Sequence, residues 1–318
     1  MKMRKLGNTD LETAPIVFGG NVFGWTLDKK ESFELLDAFV EAGFNTIDTA
    51  DVYSRWKQGN TGGESETIIG KWLQERNIRD KVNIITKVGS DMGQGKKDIS
   101  EEYILKAVDA SLKRLQLEQI DLYLTHWDDD RTPVEETLGA YEKLIKAGKV
   151  RNIGASNLSP ARLKESLEAS AKNGLPRYEV FQPEYNLYDR KGFEQDIHDI
   201  CIDEGLGVVT YFSLASGFLT GKYQKKEDAK GRNREDFVKK YFDDKGMAIL
   251  NALEQVSKKH EVSQAAVSLA WLMNSKGVTA PIASATKKKQ LTAFIEAANL
   301  QLTPEDMEIL DNPVKMSV

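Results

Sequence analysis

The chain has 318 residues, 40% of them hydrophobic and 29% charged, with a formal net charge of −5. That composition suits a globular protein with a sizeable core and excludes a disordered or fibrous chain. Basic residues are scattered, with only short runs such as Lys287 to Lys289, so no nucleic-acid partner is expected, and no apolar run approaches a membrane span.

Met3 to Leu6 and Leu11 to Thr13, joined through Gly7-Asn8-Thr9-Asp10, read as a small β-hairpin, since the connecting residues favour a turn. Ile16 to Gly20 reads as a first buried strand ending in small residues, which allow close approach of backbone or ligand. A helix from Lys30 to Ala42 follows, with Phe33, Leu36, Phe39 and Val40 on one face and Gly43 as its stop. Asn45 to Asp48 is a second strand and Glu64 to Arg76 a second helix; the Gly59 to Gly63 stretch between them reads as a flexible loop. Val82 to Lys87 is a third strand, ending on a lysine. Ser100 caps the next helix, with Glu101 and Glu102 in its first turn and Leu105, Val108, Leu112 and Leu115 facing inward. Ile120 to Thr125 is a fourth strand, running into His126. Val150 to Ala155 is the fifth, running into Ser156 and Asn157, and Glu179 to Phe181 the sixth, running into Gln182. Gly207 to Thr210 is the seventh, running into Tyr211. A long charged insertion and two helices precede the eighth, Val278 to Ala283.

Eight short apolar strands alternating with amphipathic helices predict an α/β fold, a (β/α)8 TIM barrel carrying an N-terminal β-hairpin, in one domain spanning 1–318. The runner-up is a doubly wound open sheet, but Gly19-Gly20-Asn21-Val22-Phe23-Gly24 does not supply the G-x-G-x-x-G that such a sheet wants after its first strand. Met1 to Gly7 carries basic residues with no apolar stretch behind them, unlike a secretory signal. The single cysteine, Cys201, rules out an internal disulfide and fits a cytoplasmic protein. Its setting, Ile200-Cys201-Ile202, predicts a core thiol. The three histidines, His126, His198 and His260, have no metal-ligand spacing, and no metal is expected.

In such a barrel the ligand site lies at the carboxyl ends of the strands. Asp48, Lys87 and His126 end strands two, three and four, so they meet on one side of the mouth, with Tyr53 on the loop above Asp48. Each alone is weak: a loop tyrosine is usually packing, a lysine usually solvated, a lone histidine usually structural. Together they suit proton transfer. A nearby ammonium is expected to lower the proton affinity of the phenol, an imidazole to share the proton or orient a carbonyl, and Asp48 to hold Lys87 charged.

At this point the chain resembles the aldo-keto reductases. Gly43-Phe44-Asn45-Thr46-Ile47-Asp48-Thr49-Ala50-x-x-Tyr53, followed by Gly63-Glu64-x-Glu66 and Gly70, is similar to the family's first signature. Ser111-Leu112-Lys113-Arg114-Leu115 leading to Asp121-Leu122-Tyr123 and His126 is similar to its second. The resemblance implies a catalytic tetrad of Asp48, Tyr53, Lys87 and His126. It implies that Ser156, Asn157 and Gln182 hold a nicotinamide carboxamide and that Tyr211 stacks on the ring. Leu214-x-x-Gly217-x-Leu219-Thr220-Gly221-Lys222 resembles the pyrophosphate-covering loop of the branch containing bacterial reductases and potassium-channel β subunits, with Phe212 and Ala215 as departures. Further cofactor contacts implied are Gly20, Asn21, Asp48, Ser213, Leu214, Gly217 and Lys222. After strand eight, Ser284, Thr286, Lys287 and Gln290 fall on the adenosine-phosphate site. Ser284 stands where many members have glycine, and Ala293-Phe294 where a Glu-Asn pair often follows.

The resemblance implies an NADPH-dependent reductase of an aldehyde or ketone, with NADH as the second cofactor option. Its partner is a small-molecule carbonyl substrate, and a homo-oligomer is compatible with it. Trp25, Trp56 and Trp127 lie on mouth loops and are candidates for substrate contact, against a packing role at the barrel top. The short tail after Leu310 predicts a roomy pocket. A second reading is a cofactor-binding regulatory subunit with incidental turnover, a role that would use a long N-terminal extension these 318 residues do not carry. A third, a metal-dependent barrel hydrolase, needs a ligand cluster the sequence does not show.

Overall fold

The computed structural model describes residues 1–231 and 234–313. The chain opens with an antiparallel hairpin, β1 (Arg4–Lys5) and β2 (Glu12–Thr13). Then come β3 (Val17–Gly19), α1 (Lys29–Glu41), β4 (Thr46–Asp48), α2 (Glu64–Arg76), β5 (Asn83–Val88), α3 (Glu101–Leu115), β6 (Ile120–Thr125) and α4 (Val134–Lys146). The second half holds β7 (Val150–Ser156), α5 (Pro160–Asn173), β8 (Val180–Gln182), α6 (Lys191–Glu194), α7 (His198–Asp203), β9 (Gly207–Thr210) and α8 (Glu235–Val238). The chain continues through α9 (Asp244–His260), α10 (Gln264–Asn274), β10 (Ala280–Ala283), α11 (Leu291–Asn299) and α12 (Pro304–Asp311). Strand β3 pairs with both β4 and β10, and this closes β3 to β10 into an eight-stranded parallel barrel. It is the (β/α)8 TIM barrel.

Two apolar layers follow from the alternation of side chains along each strand. Outward residues such as Phe18, Ile47, Ile84, Tyr123 and Ile153 pack under the helices. Inward residues Val17, Ile85, Leu122, Leu124, Val180, Val209, Ala280 and Ile282 fill the barrel, together with Leu6 and Leu11 from the hairpin. The hairpin therefore plugs the end of the barrel opposite the mouth. Its turn sits so close that a Cβ on Gly7, whose φ is +59°, would lie 2.1 Å from Glu179 O. Only glycine fits there.

The two stretches that carry the resemblance are packed against each other. Gly70 of α2 lies against the end of α3, where a Cβ would meet Arg114 O at 2.3 Å. Arg114 Nε bonds Glu66 Oε2 at 2.6 Å, and Thr86 of β5 donates to Glu66 Oε1 at 2.6 Å. The inward face of α3 is Ile104, Val108, Ser111, Leu112 and Leu115. Leu105, expected on that face, lies on its flank and is half-buried. The Gly59–Gly63 stretch is pinned rather than loose: Asn60 Nδ2 donates to Gly24 O and Ser54 O, and Glu64 accepts from the backbone N–H groups of Thr61 and Gly62. Cys201 is a buried free thiol that burial pushes up to about 12. Among the described residues no helix is long and apolar enough to cross a membrane. The tail expected to leave the pocket open ends in 314–318, outside the described residues.

Candidate active site

Asp48 is the last residue of β4 and Lys87 lies near the end of β5, both inside the mouth and almost fully buried. Lys87 Nζ donates to Asp48 Oδ2 at 2.7 Å, to Thr49 O at 2.8 Å and to the Tyr53 hydroxyl at 2.9 Å. These three bonds use all three ammonium hydrogens. The Tyr53 hydroxyl in turn donates to Asp48 Oδ2 at 3.2 Å. His126 follows β6; its ring centre lies 6.1 Å from that of Tyr53, and its Nδ1 is 2.9 Å from Ser90 Oγ. The four residues that end strands or overhang them thus converge on one spot.

Burial sets the protonation states. Burial and the Asp48 carboxylate push the Tyr53 phenol well above its usual value of 10. This corrects the expectation that Lys87 lowers it: the carboxylate bonds the same hydroxyl, and a dry site penalises phenolate. Burial lowers Lys87, and Asp48, Asp51 and Glu66 act against that. Burial, with the Lys87 charge behind it, holds His126 well below its usual range, so its imidazole is neutral near pH 7.

Across the mouth, Gln182 ends β8 and donates through Nε2 to Asp48 Oδ1 at 2.8 Å. Ser156 Oγ donates to Gln182 O at 2.8 Å, and Asn157 Nδ2 donates to Ser156 Oγ and to His126 O, each at 3.0 Å. The Tyr211 hydroxyl reaches Asn157 Oδ1 at 2.7 Å. Ser156, Asn157, Gln182 and Tyr211 are therefore one connected set, joined to Asp48 at one end and to the backbone of His126 at the other.

Among the described residues, the loop after β9 has the most contorted backbone. Phe212, Ala215 and Ser216 hold φ of 54°, 46° and 57°, and Gly217 holds 94°. Left-handed conformations cost a non-glycine residue roughly 1–2 kcal/mol each, and successive ones aim backbone N–H groups into a concavity suited to anions. A Cβ on Gly217 would lie 2.7 Å from Lys222 Nζ, so the glycine lets that ammonium lie against the loop. Leu214 is half-buried here, whereas the Ser213 hydroxyl is turned away, donating to Thr210 O at 3.0 Å.

At the seam of β3 and β10, Ser284 Oγ lies 2.7 Å from both Gly19 O and Asn21 Oδ1. Gly20 sits against Asp48, where a Cβ would meet Asp48 O at 3.0 Å. Gln290 Oε1 accepts from the N–H groups of Thr286 and Lys287 at 2.7 and 3.0 Å, so it caps the turn after β10. Lys287 is exposed.

The three tryptophans frame the tyrosine. Trp56, 50% exposed, has its ring centre 6.0 Å from Tyr53 and 5.7 Å from Trp25, and Trp127, 37% exposed, stacks on His126 at 6.0 Å. Two polar residues escaped the sequence reading. Ser90, two residues past β5, binds the His126 ring; its sequence carries no signal for that. Arg234, in the charged insertion, lies 5.9 Å from the Trp25 ring with its proton affinity lowered by burial, and no carboxylate acts on it among the described residues. A single basic residue in a charged segment gave no reason to choose it. No group of three or more His, Cys, Asp or Glu suited to a metal occurs among the described residues.

The chain is 32% identical over 320 residues to an uncharacterized oxidoreductase, YrpG, of Bacillus subtilis, covering 98% of this chain and 95% of that protein. It is 31% identical over 325 residues to a probable voltage-gated potassium channel subunit beta of Oryza sativa, covering 99% and 97%. It is 31% identical over 329 residues to the aldo-keto reductase YhdN of Bacillus subtilis, covering 99% and 95%. With the model of the aldo/keto reductase family matching residues 15–314, the chain belongs to that family.

Proposed function

We propose that the chain reduces an aldehyde or ketone with NADPH, Tyr53 giving its proton to the carbonyl oxygen. Family membership makes it an oxidoreductase; the finer reading rests on one observation, the Lys87 ammonium that bonds the Tyr53 hydroxyl and Asp48 Oδ2 together in a dry strand-end site. The residues present fit a nicotinamide dinucleotide. Ser156, Asn157 and Gln182 would hold the carboxamide, Tyr211 would face the ring, and Gly20 allows close approach beside Asp48. The contorted loop from Phe212 to Gly217, with Lys222 and Arg234, would hold phosphates, and Ser284, Thr286 and Lys287 a 2′-phosphate.

A bound nicotinamide supplies the hydride. Tyr53 keeps its proton until negative charge grows on the carbonyl oxygen, because burial and Asp48 favour the neutral phenol. Lys87 then stabilises the phenolate left behind, and Asp48 holds Lys87 in place. His126 is neutral; in the tautomer where Ser90 donates to Nδ1, its Nε2 would carry the hydrogen that orients the carbonyl. Trp25, Trp56 and Trp127 would take the apolar body of the substrate.

Turnover of a panel of aldehydes, ketones and sugars with both cofactors tests this, alongside nicotinamide fluorescence on mixing. No fluorescence change would overturn the reading. The likeness to a channel subunit beta supports a second reading, a cofactor-binding regulatory subunit, and binding without turnover across the panel would favour it.

A further inference from the structure

The two oxygens of Asp48 have different partners. Oδ2 accepts from Lys87 Nζ at 2.7 Å and from Tyr53 at 3.2 Å, whereas Oδ1 accepts from Gln182 Nε2 at 2.8 Å. Gln182 comes from β8, and in the strand order β10-β3-β4-β5-β6-β7-β8-β9 that strand stands four places from β4, the far side of the barrel. The bond therefore spans the mouth. It is made between buried groups, and the Gln182 backbone is fixed in its turn by Ser156 Oγ.

We propose that Gln182 is a positioning residue for the proton donor. Its amide holds the Asp48 carboxylate so that Oδ2 faces Lys87 and Tyr53 together. This rests on the reductase reading, and it adds to the carboxamide contact read for Gln182 a tie between the cofactor side of the mouth and the acid. A carboxylate is free to turn about its terminal bond unless both oxygens are held. Once Oδ1 is released, the Tyr53 contact is the first to fail, because at 3.2 Å it is the longer of the two on Oδ2. With Nε2 committed to Asp48, Gln182 keeps Oε1 as the acceptor for a carboxamide N–H.

Three variants separate positioning from simple cofactor holding. The titratable groups that face this cluster are Asp48, Tyr53, Lys87, His126 and Tyr211, with Asp51 and Glu66 acting on Lys87 from behind. In cofactor-free protein, Gln182→Glu sets a carboxylate against Asp48, so its thermal-unfolding midpoint should fall below that of Gln182→Met as pH rises from 4 to 8. On Asp48→Asn, which already lacks the carboxylate that pairs with Lys87, Gln182→Glu reverses donor and acceptor; in this swapped pair the Gln182→Glu change should cost less stability than it does in the parent, with no turnover restored. In the loaded enzyme at saturating NADPH, Gln182→Met should lower kcat by roughly 10-fold, the effect of one hydrogen bond. Its solvent deuterium isotope effect should rise as proton transfer becomes limiting. The proposal is overturned if Gln182→Met raises the cofactor Kd alone, with kcat and isotope effect unmoved. It is equally overturned if Gln182→Glu costs as much stability on Asp48→Asn as on the parent. If the parent protein binds NADPH and turns nothing over, the reductase reading fails, and the swapped pair still decides whether Gln182 holds Asp48.

Discussion

The ammonium of Lys87 stands 2.9 Å from the hydroxyl of Tyr53 and 4.6 Å from the centre of its ring. One cation thus touches both the bond that must break and the electrons that receive its charge. Tyr53 does not need to be a strong acid at rest. It needs to be neutral until an alkoxide forms, and then to be stabilised as phenolate.

Tyr53→Phe removes the proton donor and leaves the Tyr211 to Asn157 bond in place. Turnover of an aldehyde should fall by roughly the 10²–10⁴-fold typical of general acid catalysis, with NADPH affinity nearly unchanged. Steady-state rates with a cofactor titration check this, and near-parental turnover would remove Tyr53 from the mechanism.

Lys87→Met keeps most of the stem and deletes the charge, leaving Asp48 buried without its cation. Breaking a buried pair from one side typically costs about 3–5 kcal/mol, so both stability and turnover should drop. Denaturant midpoints and a pH–rate profile measure the two effects. A variant with the parental profile would show that Lys87 does not act on the proton donor.

Much of this was legible because barrel strands advertise their ends. Asp48, Lys87 and Gln182 each break an apolar run at or near its carboxyl end, and in a parallel barrel those ends share the mouth, so position in the run stood in for position in space. Relationships that depend on distances across the barrel were not legible. The Gln182 to Asp48 bond joins residues 134 apart in sequence, and nothing near either names the other. Ser90 and Arg234 escaped for the same reason. The direction of the Tyr53 shift was misread because the sequence places a cation near the phenol without showing that Asp48 bonds the same hydroxyl. Leu105 was misplaced because Ile104 and Leu105 adjoin, and only the roll of α3 on the barrel decides which faces in.

Asp51 gives a prediction on stability rather than turnover. It is 1% exposed, neither carboxylate oxygen has a hydrogen-bond partner among the described residues, and burial beside Glu66 pushes its proton affinity well up. For an acid raised on folding, the native state binds the proton more tightly than the unfolded chain, whose value is about 3.9. Stability is then unaffected below about pH 4 and declines as pH rises through that value toward the native one. Asp51→Asn removes this decline. The variant should gain stability at pH 8 and change little at pH 4, because the amide cannot ionise. Unfolding at both pH values checks it: equal effects at the two would show that Asp51 does not titrate in this range.

Cofactor choice turns on two cations that sit differently. Lys287 is exposed at the turn after β10, with Ser284 and Thr286 beside it, and no acidic residue among Ser284 to Gln290 would favour a free 2′-hydroxyl. Arg234 lies against Trp25 without a carboxylate partner among the described residues. A cation on the 2′-phosphate acts on NADPH alone, whereas one on the pyrophosphate acts on NADPH and NADH equally. Lys287→Ala should therefore weaken NADPH by roughly 10-fold, the low end for a charge-assisted bond because solvent screens an exposed lysine, and leave NADH nearly untouched. Arg234→Met should weaken both cofactors, and by more, since the group is less hydrated. Dissociation constants for the two cofactors at two salt concentrations separate the cases: the Lys287 effect should shrink with added salt more than the Arg234 effect. Equal losses of NADPH and NADH in Lys287→Ala, or no loss of either, would place the 2′-phosphate elsewhere.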